Sequence, residues 1–379
     1  MAFPFAKPWD VFVAGGGPAG LATAIAARRR GLSVIVADGA LAPIDKPCGE
    51  GLLPDGVEAL RDLGVEIPPG EAYPFGGVRF ISGRTQAQAE FPRGTAYGMR
   101  RTHLHRVMVE RAAGCGVRML WQAAVTGLHP EGALVAGELV RACWVVGADG
   151  TGSRVRNWAK LDAHEHDARL NQHVRFAFRR HYGVAPWSDF MELHWGDSCQ
   201  AYVTPIGREE VCVSLISFDP GQRLREEESL DEFPQLWAHI KNAEYTSSER
   251  GAITVTRRWR RVYRGRTVLV GDASGGVDAV TGEGLCLAFQ QAAFLGECLA
   301  SGDLARYQKR HRALLRRPGL MARMMLLMVK HSRLRQRAMQ VFQSHPRSFA
   351  GLLAMHVGEG STREHISNGI AVGWELLKA

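Results

Sequence analysis

An α/β fold is what this sequence predicts: a Rossmann-like βαβ domain, discontinuous in the chain, with an antiparallel β-sheet domain inserted into it and a helical cap at the C-terminal end. Three observations predict it. A short apolar run at residues 9–14 leads through Gly15-Gly16-Gly17-Pro18-Ala19-Gly20 into strong helix formers, and a second β-branched run at 32–37 ends on Asp38, a βαβ unit in about 30 residues. Segments between residues 77 and 218 alternate apolar and polar side chains, the mark of half-buried antiparallel strands. From residue 303 onward the pattern is helical, interrupted at Pro318 and Pro346.

Composition sets the outer bounds. Of 379 residues 46% are hydrophobic and 22% charged, which excludes disorder, collagen-like repeats and a long coiled coil. Glycine is abundant, at 43 residues, as expected where backbone turns tightly or approaches a ligand. The seven cysteines are scattered and never form a CxxC pair, so neither a disulfide framework nor a zinc site is expected. No secretory signal is recognisable near the first residues. The apolar stretch at 319–329 contains Arg323 and falls short of the roughly 20 residues of a spanning helix. The expectation is a cytoplasmic protein, with peripheral membrane association as an option. Residues 304–358 carry twelve Lys and Arg and no Asp or Glu, more than the whole net charge of +9. That points to a local anionic partner, a membrane surface or an acyl-carrier protein, and not to nucleic acid.

Read in order, residues 102–113 predict a helix, 117–128 a strand-rich stretch, and 143–148 a buried strand ending at Asp149. Another buried strand at 267–271 ends at Asp272, and 284–301 predicts a long helix. The alternating strands are expected at 77–81, 173–178, 189–195, 200–206 and 211–218. The resulting division is a first domain in three parts (1–75, 98–165 and 256–302), a sheet domain in two (76–97 and 166–255), and a basic helical region at 303–379.

Gly15-x-Gly17-x-x-Gly20 lies between strand and helix, where backbone amides can approach a pyrophosphate, and Asp38, 18 residues further on, can accept from a ribose. This motif alone does not separate FAD from NAD. Two later segments do. Val146-Gly147-Ala148-Asp149-Gly150-Thr151-Gly152-Ser153-Arg154-Val155-Arg156 resembles the GADGxxSxVR segment of aromatic-hydroxylase-like FAD enzymes, and Arg266-Thr267-Val268-Leu269-Val270-Gly271-Asp272-Ala273 resembles their second flavin motif. The chain is thus similar, over residues 9–302, to the glutathione-reductase-type FAD superfamily, in the branch of p-hydroxybenzoate hydroxylase, flavin-dependent halogenases and geranylgeranyl reductases.

The resemblance implies roles for individual residues. Gly15, Gly17, Ala19 and Gly20 would cradle the pyrophosphate, Asp38 would bind the adenosine ribose, and Val125 would present backbone to the adenine. Arg101 would contact the flavin; Asp149 belongs to the cofactor-binding GADG segment; Asp272 would hold the ribityl hydroxyls. Gly282, Gly284 and Leu285 would present backbone to the isoalloxazine. The run from Gly271 to Leu285 looks like the geranylgeranyl-reductase form GDAAGxVxPxTGEGI, but Ala279 replaces its proline, so the loop over the flavin lacks the usual stiffening. Lys46-Pro47-Cys48-Gly49-Glu50-Gly51-Leu52 resembles the PCGxGL segment of the same reductases. Either Cys48 or Glu50 then serves beside the ring as proton donor or positioning group, or the segment is a glycine-rich turn packing FAD. The halogenase lysine motif and WxWxIP signature are not visible, so chlorination is not expected.

The inserted sheet, with Trp187, Phe190, Trp195, Tyr202 and Phe218, is expected to roof an aromatic or lipophilic small-molecule substrate or to form core. His194 and Glu192 share one strand face and Met191, Leu193 and Trp195 the other; His194 is a weak candidate base. Met321, Met324, Met325 and Met328 recur at helical spacing, suiting core or an adaptable greasy tunnel. The resemblance implies an FAD-dependent oxidoreductase that takes electrons from NADPH or NADH without a second nucleotide domain. Monooxygenation through a flavin hydroperoxide is the favoured activity, reduction of a C=C bond in a lipid or prenyl substrate the alternative, and a non-catalytic prenyl-binding escort the third reading.

Overall fold

A computed structural model describes residues 7–163, 174–218 and 229–359. Residue 173 of one expected strand, and the expected helical region past 359, lie outside the described residues. Val11, Phe12 and Val13 are fully buried because their strand, Trp9–Ala14, is central in a parallel sheet covered on both faces. It pairs with Glu138–Gly147 on one side and Val34–Ala37 on the other, and Thr267–Leu269 and Arg118–Leu120 extend the parallel core outward. The helix Pro18–Arg28 packs on the long helix Gly284–Ser301, and a Cβ on Gly296 would lie 2.7 Å from that of Ala26. The expected strand at 143–148 is the end of a ten-residue strand, Glu138–Gly147, which also forms an antiparallel meander with Gly132–Val135 and Val125–His129.

The second large sheet is antiparallel except at one junction. Its order is Glu244–Tyr245, Arg175–Gly183, Glu210–Ser217, Cys199–Gly207, Phe190–Trp195, Gly77–Ser82 and Thr85–Glu90, with Arg250–Thr254 also pairing to Arg175–Gly183. The exception is the parallel pairing of Phe190–Trp195 with Gly77–Ser82, which joins two segments far apart in the chain. Strand alternation sorts the faces as expected. Glu192 and His194 point away from the substrate side, where the Glu192 carboxylate accepts from Arg79 (2.9 Å), Trp187 Nε1 (3.1 Å) and His194 Nε2 (3.0 Å). His194 therefore sits in a satisfied buried network and is no free base.

Four helices, Leu304–Leu314, Arg316–Lys330, Ser332–Ser344 and Pro346–His356, form the C-terminal cap. Pro318 lies in the first turn of its helix and Pro346 opens the last one, positions at which a missing N–H costs no intrahelical bond. Met325, Met328, Phe342 and Phe349 of the cap share one apolar core with Val78, Leu193 and Trp195 of the second sheet.

Candidate active site

A cavity of about 480 Å3 lies where the parallel sheet, the inserted sheet and the cap meet, bounded at one end by the glycine loop and at the other by the methionines of the cap. The glycines of the loop do different things. Gly15 has φ +111°, and a Cβ there would lie 2.4 Å from Ala148 O; a Cβ on Gly20 would lie 1.9 Å from Gly15 O. These two let the helix close onto the strand. A Cβ on Gly17 would meet no protein atom within 4 Å, because Gly17 faces the cavity at the start of the helix Pro18–Arg28. Ala19 also lines the cavity and packs on Gly271, whose added Cβ would lie 2.6 Å away. Asp38 accepts the Gly16 N–H at 2.7 Å and the Ala40 N–H at 2.8 Å, so it braces the loop from the end of the second strand. Its own carbonyl accepts from Ala123 N, which brings half-buried Val125 into the same corner.

Asp149 works inside its turn. Its carboxylate accepts from Ser153 Oγ (2.5 Å), Arg154 N (2.7 Å) and Val155 N (3.1 Å), and the neighbouring Gly150 and Thr151 face the cavity in its place. Arg156 then links the two motifs that follow the glycine loop, donating to Thr151 O and Ala273 O at 3.1 Å each. Asp272 is exposed toward the cavity within Gly271–Ser274. Gly282, with φ +68°, Gly284 and Leu285 line the cavity where the helix Gly284–Ser301 begins, and neither glycine would place a Cβ against protein. Arg101 also lines it, and its buried Nε has no partner among the described residues.

Cys48 and Glu50 separate in role. Glu50, at φ +59°, is buried; Oε1 accepts the Arg101 N–H at 3.0 Å and Oε2 meets His181 Nε2 at 2.6 Å. Arg179 stands 3.7 Å from Oε1. A carboxylate held this way fixes the start of the helix Arg101–Gly114, and hence Arg101. Cys48 stands at the cavity wall, its sulfur accepting the Glu50 N–H at 3.3 Å, and burial raises its thiol pKa despite the opposing Arg101 charge. It is a thiol that keeps its proton.

The loop that lacks the expected proline is pinned by hydrogen bonds. Ala279 N donates to Thr254 Oγ1 (2.7 Å), Asp278 N to Thr256 Oγ1 (3.1 Å), and Tyr202 Oη to Val280 O (2.8 Å). Arg175 and Asp278 form a fully buried ion pair. From the cap, His356 Nε2 meets Thr281 O at 3.0 Å, and Arg317 pairs with Asp55 (3.2 Å) and Glu283 (3.3 Å). Sequence reading missed Thr254, Arg175, Glu283, Arg317 and His356, since partners that distant carry no periodic signal. The aromatic roof is built from partly different residues: of the five aromatics singled out, Tyr202 alone lines the cavity, joined by Phe80 and Phe178 of the same sheet and by Phe342 and Phe349 of the cap.

The arrangement fits FAD on its own terms. Open glycine positions at 17, 282 and 284 leave backbone amides accessible, Asp272 offers a charged acceptor for hydroxyls, and the orphaned Arg101 Nε offers a donor. The chain is similar to menaquinone reductase of Mycobacterium tuberculosis, with 28% identity covering 78% of each chain. It is also similar to digeranylgeranylglycerophospholipid reductase 1 of Methanococcoides burtonii, with 28% identity covering 80% of this chain and 79% of that one. Among solved structures it matches a flavin-dependent brominase (TM-score 0.80, 18% identity, 97% of this chain and 99% of that one). It also matches a geranylgeranyl bacteriochlorophyll reductase-like protein of Thermoplasma acidophilum (TM-score 0.76, 19% identity, 98% of each). These likenesses concern the fold. The profile of the FAD binding domain family matches residues 8–305, and the chain therefore belongs to that family, as an FAD-dependent oxidoreductase.

Proposed function

We propose that this enzyme reduces a C=C bond of a lipophilic, prenyl-like substrate, with NADPH or NADH as the reductant. The observation that carries the reading is the cap end of the cavity, walled by Met321, Met324, Met325 and Met328 together with Phe342 and Phe349. Such a wall is apolar, and unbranched thioether side chains adapt to a flexible hydrocarbon. Similarity to reductases whose names specify prenylated lipids and a quinone supports the same reading. The monooxygenase alternative draws on the hydroxylase-like frame and an aromatic-lined sheet; four of the five aromatics singled out lie away from the cavity, while Phe80 and Phe178 of the same sheet join Tyr202 in its wall.

Bound FAD, once reduced, supplies a hydride. The protein would supply the rest: Arg101 and Asp272 would hold the cofactor, the pinned loop at 278–282 would present backbone to it, and the cap would keep water from the reacting bond. Cys48 Sγ holds a proton at the cavity wall and is the proposed donor to the second carbon. Incubation with NADPH or NADH and a panel of isoprenoid quinones and phospholipids, followed by mass spectrometry, tests the reading. Products whose isoprenoid chain is heavier by two hydrogens, read after any quinol has been reoxidised, support it; a gain of two hydrogens lost on reoxidation is ring reduction and does not, and products heavier by one oxygen place the enzyme among the monooxygenases.

A further inference from the structure

The helix Arg316–Lys330 has two faces of different character. Met321, Met325 and Met328 are buried and, with Met324, wall the cavity. Arg316, Leu320, Arg323, Leu327 and Lys330 recur every three or four residues, so they form one stripe along the opposite side, and all five are exposed. Leu320 is 51% and Leu327 49% exposed, and they are two of the five exposed large hydrophobic residues among the described residues. The following helix adds exposed Arg333 and Arg337. Not every cation of the segment belongs to this surface. Arg317 turns inward to Asp55 and Glu283, and Arg335 is buried over Trp195 and Phe218.

We propose that the outward stripe of Arg316–Lys330 is a docking surface for an anionic lipid bilayer. Charge selects the partner: the whole span 304–358 has no acid to neutralise its cations, so an anionic surface is the complement. The leucines select a bilayer over a simple polyanion. Side chains of alternating Leu and Arg or Lys along a helix lie in the headgroup boundary, the leucines entering the acyl region while the cations reach phosphates on longer stems. A helix is roughly 10 Å across, so a bilayer on this stripe stands one helix away from the methionine wall. That last point rests on the proposed lipophilic substrate; the docking itself does not.

The experiment is co-sedimentation of the FAD-loaded full chain with phosphatidylcholine vesicles, plain or containing phosphatidylglycerol, at low and at physiological salt. Binding is expected to the anionic vesicles and to weaken as salt rises. Changing Arg316, Arg323 and Lys330 together to Gln should lower that binding by roughly tenfold or more. The pair Leu320→Gln and Leu327→Gln should weaken it at both salt levels, while Leu41→Gln, at an exposed leucine elsewhere (62% exposed), should leave it unchanged. Flavin absorbance and thermal unfolding establish that the variants are folded. Three results overturn the proposal: no sedimentation with any vesicle, binding that the stripe variants leave intact, or association only with an acidic acyl-carrier protein. Turnover of detergent-dispersed substrate reads the proposed reaction separately, so either claim can fail alone.

Discussion

Glu283 Oε2 and His356 Nδ1 face each other at 3.5 Å, and neither atom has a hydrogen-bond partner among the described residues. His356 Nε2 is already committed to Thr281 O, an acceptor, so the ring proton is assigned to Nε2 and the Nδ1 lone pair is left toward the carboxyl. Burial, with the Asp55 charge adding to it against Arg317, raises Glu283 to about 8; burial, then the Arg317 charge, lowers His356 to about 4. Near neutral pH both groups are uncharged and complementary. The last cap helix thus closes on the flavin loop through a neutral acid and a neutral imidazole, beside Arg317, Asp55 and Cys286.

Stability should therefore fall as pH rises from 6.5 to 8. Between the ordinary carboxyl value of 4.5 and about 8, folded Glu283 keeps a proton that the unfolded chain releases, so rising pH costs stability. His356 acts oppositely between about 4 and 6.5, where the folded protein has released a proton that the unfolded chain keeps. The two offset below 6.5, and above it Glu283 acts alone. Thermal melts are expected to show a decline worth up to about 2 kcal/mol across that window, and Glu283→Gln to flatten it.

The glycine loop should separate folding from cofactor binding. Gly20→Ala forces a Cβ against Gly15 O and is expected to cost about 3 kcal/mol of stability. Gly17→Ala meets only open cavity and a φ of −70° that alanine accepts, so the apoprotein should melt as the wild type does. Its FAD affinity should nevertheless drop by roughly tenfold or more, because the methyl occupies the space of the pyrophosphate. Fluorescence titration with FAD and melts of the apoproteins check both halves.

Cys48 and Glu50 should respond differently to conservative change. Glu50→Gln puts an amide where the carboxylate meets His181 Nε2 and the Arg101 N–H, while Arg179 keeps Asp45, and is expected to destabilise by about 2 kcal/mol, with reduced FAD occupancy as Arg101 loses part of its support. Cys48→Ser should stay within about 1 kcal/mol and keep FAD, while slowing turnover and altering its pH profile. Wild-type turnover in Cys48→Ser would leave that thiol with packing alone.

The absent proline has a local substitute. Ala279 N donates to Thr254 Oγ1 from the first residue of Ala279–Thr281, where proline is tolerated. Thr254→Val should cost about 1 kcal/mol in the natural chain and almost nothing once Ala279→Pro has removed the donor. A double-mutant cycle on thermal melts measures the coupling.

Legibility in the sequence follows the range of the forces involved. The helix Gly284–Ser301 and the strands Trp9–Ala14 and Phe190–Trp195 announce themselves, because a run of one period buries one face or all of a short strand. The strands Gly51–Leu52, Tyr73–Phe75 and Ala96–Gly98 are too short to show a period, and Thr85–Glu90 buries only Ala87 and Ala89, whose small side chains barely stand out from its polar residues. The glycine loop was legible because its chemistry is local. The Glu50–His181 pair, 131 residues apart, exists only once the inserted sheet folds over the first domain. Arg317 shows the same limit from the other side: counted by sequence as one more surface cation, it turns inward to the carboxyls of Asp55 and Glu283.

The central claim, hydride delivery to a lipophilic alkene beside Cys48, is tested most directly by anaerobic single turnover. The enzyme's FAD is reduced with NADPH or NADH, freed of nicotinamide, and mixed in a stopped-flow instrument with an isoprenoid quinone or prenylated phospholipid, without oxygen. Flavin absorbance at the oxidised maximum is expected to return in step with saturated product, and more slowly in Cys48→Ser. Flavin that stays reduced with every alkene, yet reoxidises in air with incorporation of oxygen into an added substrate, would contradict the claim.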